Sequence, residues 1–168
     1  MCKVLDYRLY HRYVIPHPEQ KPDYVGPIIT VDELITDCYE EYDIPTMFMA
    51  NNVDVEIHPF NGAGLTWMSL MKILISPPYA NAGVLGHEYA HIEYGLLPSN
   101  LKEKFNTTIT PLIRRNIRIK TMLEQYDYGF TNRIELHAEI FRYLGDEMPA
   151  ELYRFYPNLI MQGGENGN

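Results

Sequence analysis

The sequence predicts an α+β fold, a small and mostly antiparallel sheet packed on a helical bundle. Two observations point there. Short strand-like segments cluster between residues 53 and 76, the first with apolar and polar residues alternating, followed by the turn Asn61-Gly62-Ala63-Gly64. Longer segments with apolar residues at every third or fourth position lie on both sides of that cluster. A length of 168 residues and a mass of 19.6 kDa suit one domain with a sizeable core. We read residues 1–162 as that domain, with 1–28 an unassigned extension and 163–168 a flexible tail.

The elements follow in chain order. Leu5, Tyr7 and Leu9 alternate with polar residues, which predicts a strand over 4–14. Three prolines make 17–27 a loop. Thr30 and Glu33 have the spacing of a capping box. Val31, Leu34, Ile35, Cys38 and Tyr42 then keep helical spacing until Pro45 stops the helix. Val53, Val55 and Ile57 alternate with Asp54, Glu56 and His58, a half-buried strand. Asn61-Gly62-Ala63-Gly64 turns the chain into a second strand over 65–70, and 72–76 forms a third. A helix is expected over 81–94, with Val84, His87, His91 and Tyr94 on one face, ended by Gly95 and Pro98. Residues 97–106 read as a polar loop. Thr110-Pro111 would open a helix running to about 126, with Pro at its first position. After a break at 127–129, Asn132 caps a helix over 133–147, and a short helix follows over 150–161.

Composition narrows the function. A hydrophobic fraction of 46% excludes disorder throughout, and two cysteines exclude a disulfide-stapled scaffold. The formal charge is −8, with nine of the fourteen basic residues in the second half. Nonspecific nucleic-acid binding needs many Lys and Arg contacts to phosphate, so direct nucleic-acid binding is not expected. Arg114, Arg115, Arg118 and Lys120, the one basic cluster, read as a solvated helix face. No run of 18 apolar residues is present, so no membrane span is expected. Charge at Asp6 and Arg8 breaks any signal-peptide core, which points to the cytoplasm. Cys2 and Cys38 read as free thiols in a reducing compartment.

One segment carries chemistry. Gly86-His87-Glu88-Tyr89-Ala90-His91 contains HExxH inside the expected helix. That spacing sets two imidazoles one turn apart on one side, so both can reach one zinc ion. Glu88 follows the first ligand and can take a proton from bound water. Six His and fourteen Glu in this length give roughly 0.02 chance matches. A catalytic zinc site needs a third protein ligand. A third histidine at the metzincin distance would fall near residue 97, which is leucine. Glu135 and Glu139, four apart on the 133–147 helix, are the better candidates. One would bind the metal and the other would hold the ring N–H of a histidine; chemistry alone does not choose between them. His137, on the other side of that helix, and His58, on the first strand of the cluster, are weaker candidates.

Glu135-Leu136-His137-Ala138-Glu139-Ile140-Phe141, followed by Leu144 and Met148-Pro149, resembles the second motif of the ImmA/IrrE-like zinc metallopeptidases. These are small gluzincin-like proteins of mobile elements and their hosts. Their pattern is HExxH and then, forty or more residues on, E-x-x-A-[N/D/R]-x-[F/W]-A. The resemblance covers about residues 30–150. It puts Glu135 at the metal-ligand place, Ala138 at the small residue and Phe141 at the aromatic one. Glu139 stands where Asn, Asp or Arg is more usual, and Arg142 where alanine is commoner. The resemblance implies a zincin-like fold with one Zn2+ per chain on His87, His91 and Glu135, and Glu88 as catalytic base. It also implies that the strand Ile73-Leu74-Ile75 is an edge open to an extended substrate. The implied activity is a narrow, regulatory endopeptidase cleaving a protein partner such as a DNA-binding repressor. The acidic run Asp32, Glu33, Asp37, Glu40, Glu41 and Asp43 reads first as a solvated helix face, with a dock for such a basic partner as the alternative. The alternative is a zinc-containing binding or regulatory protein without independent protease activity. For the oxyanion, Tyr89, Tyr94, Tyr126, Tyr128 and Tyr143 are all imaginable partners.

Overall fold

A computed structural model describes residues 29–42, 52–125 and 132–157. The expected strand at 4–14, the loop at 17–27, the stop at Pro45, the break at 127–129 and the tail at 163–168 lie outside the described residues. Within them the fold is α+β, a three-stranded sheet against helices.

Helix α1 (Val31–Tyr42) starts at the expected capping box. The Thr30 backbone N–H donates to Glu33 Oε2 at 2.8 Å, and the Glu33 N–H donates to Thr30 Oγ1 at 3.2 Å. Leu34 and Cys38 are fully buried, while Asp32, Glu33, Asp37, Glu40 and Glu41 face solvent.

The strands are β1 (Asp54–Ile57), β2 (Gly64–Trp67) and β3 (Lys72–Ile75), in the order β1-β3-β2. This corrects two expectations. The sheet is mixed: β1 pairs with β3 in parallel, Val55 opposite Ile73, and only β2 and β3 are antiparallel, Thr66 opposite Ile73. Residues 58–63 carry the chain past the lane that β3 later fills, so β1 and β2 never pair. β3 is therefore central and not an edge. The pattern was in the sequence: Ile73, Leu74 and Ile75 are all buried, and a strand covered on both faces reads as a continuous apolar run. β2 is also shorter than expected. It ends at Trp67, and one 3₁₀ turn (Met68–Leu70) with Met71 at φ 49° returns the chain to β3.

Helix α2 (Ala82–Leu96) is the hub. Asn81 caps it, its side chain accepting from the Val84 N–H at 3.0 Å. Every residue from Val84 to Tyr94 is buried, so the helix is covered all round by α1, the sheet and helix α5 (Arg133–Leu144). Asn132 caps α5, its side chain accepting from the N–H groups of Ile134 and Glu135.

Between these two helices the sequence misplaces one boundary. Of residues 97–106 only Leu97 and Pro98 connect helices; 99–106 belong to helix α3 (Ser99–Arg115), with Pro111 inside it. One apolar residue per turn, Phe105, Ile109 and Leu112, is buried among Lys, Glu, Asn and Thr, too thin a stripe to stand out. The break falls at Asn116 instead. Its side chain accepts from the N–H groups of Arg118 and Ile119 and starts helix α4 (Ile117–Gln125). The α5 helix gives way at Gly145 to a 3₁₀ turn, and a second 3₁₀ segment, Ala150–Phe155, replaces the expected short helix. No helix among the described residues is long and apolar enough to cross a membrane.

Candidate metal centre

The site lies where α2 faces α5. The HExxH turn places His87 and His91 on the side of α2 that meets α5, their rings edge to face with centroids 4.7 Å apart. Glu135 reaches them from the first turn of α5, where the helix dipole favours a carboxylate. Its Oε2 lies 3.2 Å from His87 Nε2 and 3.6 Å from His91 Nε2. One donor atom from each of the three residues falls within 4.8 Å of the others. All three are buried, with relative exposures of 5%, 1% and 1%. Two imidazole nitrogens and one carboxylate oxygen are a donor set suited to a divalent ion of zinc's character. The cluster is capable of coordinating a metal ion.

Glu139, one turn after Glu135, has a different place. Its Oε1 lies 2.6 Å from Nδ1 of His87, on the side of the ring away from Glu135. A carboxylate on Nδ1 fixes that proton there and leaves Nε2 to be a ligand. The pair of neighbouring acids thus divides into one that joins the two imidazoles and one that stands behind a ring. Burial alone would lower the His87 pKa. Hydrogen bonding to Glu135 and Glu139, with the charges of Glu88 and Glu139, overrides it and pushes the value up to about 9.

Glu88 is buried at 3% and turned toward β2. Thr66 Oγ1 lies 2.7 Å from Glu88 Oε2 and 2.9 Å from the Glu88 carbonyl oxygen, so one hydroxyl secures the carboxylate and its helix turn to the strand. Gly64, two residues earlier on β2, makes the approach possible. A Cβ there would sit 2.5 Å from Cγ of Glu88. Sequence reasoning missed both residues. A lone Thr in a strand carries no signal, and Gly64 reads as part of a turn.

The other candidates fall elsewhere. His58 is exposed beyond the end of β1 and outside the cluster. His137 is fully buried on another side of α5. Its Nε2 lies 2.8 Å from the Phe155 carbonyl, and its ring stacks on Tyr156 at 4.0 Å. Burial pushes its pKa down to about 3. Tyr94 belongs to that same aromatic nest, its ring 5.2 Å from His137 and 6.2 Å from Phe105. Tyr89 is fully buried, Tyr143 lies under the Arg142 guanidinium, and Tyr126 and Tyr128 lie outside the described residues.

No family model, curated protein or solved structure matches this chain. The chemistry of the site therefore rests on its own geometry. Cys38, buried with its Sγ 3.2 Å from the Ala82 carbonyl, is free, and burial raises its thiol pKa. Three residues of the basic cluster are exposed and paired with acids: Arg115 with Glu151, Arg118 with Glu147 and Lys120 with Glu124.

Proposed function

We propose that this chain holds one zinc ion on His87, His91 and Glu135 and uses it as an endopeptidase of narrow specificity, of the ImmA/IrrE-like type. The convergence of these three buried donors across α2 and α5 carries the metal half of the reading. The hydrolytic half is carried by Glu88, a buried carboxylate next in sequence to a ligand and steadied by Thr66.

Zinc bound there would lower the pKa of a water and polarise a substrate carbonyl. The protein's own groups do the rest. Glu139 holds the His87 ring, and Thr66 holds Glu88 in one orientation. Glu88 accepts the proton of the attacking water and returns it to the leaving amine. An extended substrate would pair with β2 and not with the central β3. β2 is the outer strand that carries Gly64 and Thr66 against Glu88, and among the described residues it pairs only with β3. The exposed acids of α1 suit a basic partner such as a DNA-binding repressor.

A second reading has its own support. All four residues are at most 5% exposed, which suits a zinc-containing binding or regulatory protein without protease activity. Both readings expect about one zinc per chain in protein purified without added metal. Incubation with a candidate repressor, with and without a chelator, separates them. Chelator-sensitive cleavage by the native chain, absent in Glu88→Gln with its zinc intact, supports the peptidase. Tight binding without cleavage supports the regulatory protein. Folded protein that takes up no zinc removes both.

A further inference from the structure

We infer that Arg142 is a positioning residue: it pins the buried Glu139 carboxylate against Nδ1 of His87, and through it sets the ring that offers Nε2 to the metal. The inference rests on the reading of His87 as a ligand.

The observation is a shared atom. Oε1 of Glu139, 2.6 Å from His87 Nδ1, is also 3.5 Å from Nη1 of Arg142, three residues on along α5. The Glu139 side chain is 2% exposed and that of Arg142 31%, so the cation closes the chain at its solvent end. A buried carboxylate is costly unless it is paired. Here the cost is compounded, because Glu135 and Glu88 are buried close by. A divalent ion with three carboxylates and neutral imidazoles leaves the site one negative charge in excess. The Arg142 guanidinium cancels it.

Arg142 is itself held in place. Its backbone carbonyl accepts from the Tyr42 hydroxyl at 2.8 Å. Its guanidinium lies 5.1 Å from the centre of the Tyr143 ring. Its stem passes Gly83 near the start of α2, where a Cβ would lie 3.4 Å from Nε. The Tyr42 bond fixes the backbone of Arg142, and the Tyr143 ring and the bare Gly83 backbone leave its side chain a defined course toward Glu139.

The test is a double-mutant cycle of Arg142→Ala and Glu139→Gln, with Arg142→Lys as the conservative variant and melting temperature as the control for folding. Zinc affinity is read by competition with a chromophoric chelator. The NMR signal of the His87 Nδ1 proton is read in metal-free protein. Arg142→Ala should weaken zinc binding roughly five- to tenfold, below the 10–100-fold typical of groups that touch a ligand directly. Arg142→Lys should restore most of it. In the Glu139→Gln background Arg142→Ala should change affinity by less than about twofold. The ring-proton signal should broaden or vanish in Arg142→Ala and return in Arg142→Lys. Equal effects in both backgrounds, or a ring signal indifferent to Arg142, would overturn the inference. A native chain that binds no zinc would sink the metal reading alone, and the ring signal would still decide the role of Arg142.

Discussion

Two buried histidines, His87 on α2 and His137 on α5, are driven in opposite directions. His87, between Glu135 and Glu139, is pushed up to about 9, whereas His137, against the Phe155 carbonyl and the Tyr156 ring, is pushed down to about 3. Both are enclosed in the same core, so enclosure does not decide their character. The partners do. Carboxylates at both ring nitrogens outweigh the burial of His87, whereas the Phe155 and Ala90 carbonyls, which also favour the imidazolium, fall short of the burial of His137. His87 thus holds a proton in a place where a metal ion can replace it. His137 is a neutral packing unit, with the Tyr156 hydroxyl donating to its backbone carbonyl at 2.8 Å.

The sharpest way to break this contrast is to remove its carboxylates singly. Glu135→Ala should lower zinc affinity by more than about 100-fold, and Glu139→Ala by about 10–100-fold, in chelator competition. The reverse order would make Glu139 the ligand.

Acidity tests the contrast next. Below about 9 zinc must displace the proton of His87, so its apparent affinity should rise by up to about tenfold per pH unit and flatten above that value. Without metal, His87 binds a proton more tightly folded than unfolded. Its stabilisation is complete below about 6.5 and is lost as pH rises towards 9. His137 has the opposite sign. The unfolded chain takes up a proton below about 6.5 that the folded chain refuses until about 3. At pH 5 this costs about 2 kcal/mol, and denaturant unfolding of His137→Gln should show that much less acid sensitivity than the native chain. Metal-free protein should therefore be most stable near pH 6.5 as far as these two groups are concerned, and zinc should flatten the alkaline limb only.

The smallest expected effect is at Thr66. Thr66→Val should cost about 1–2 kcal/mol in stability, from a buried carboxylate that loses its donor. It should leave zinc affinity unchanged, and cleavage should slow because Glu88 is no longer fixed. A fall in zinc affinity would show that Thr66 acts on the cluster and not on Glu88 alone.

How much of this was legible before any coordinates follows from where the signal lies. HExxH, the caps at Thr30 and Asn132, and the shared face of Glu135 and Glu139 are local patterns, and local hydrogen bonds enforce them. Strand order is not local. It depends on where six residues after β1 carry the chain, and nothing in their composition says that β3 will slot between its predecessors. The division of labour between the two acids is also tertiary, since both sit on one face of α5 and only the position of α2 distinguishes them. Helix α3 was hidden because Pro111 looks like a beginning, while the helix simply runs through it. The two departures from the resembling motif, Glu139 and Arg142, each look like an isolated substitution in the sequence. In the fold they face each other across 3.5 Å.

The bare backbone at position 64 has a consequence for reading relatives of this chain. A Cβ there would lie 2.4 Å from Oε1 of Glu88 and 2.5 Å from its Cγ, so a larger residue at this position requires the acid or the strand to move. A homologue that keeps both histidines but carries alanine or serine at this position has had to withdraw the acid or shift the strand. One letter, distant from the motif that attracts attention, would then flag a changed seat for the acid beside the two histidines.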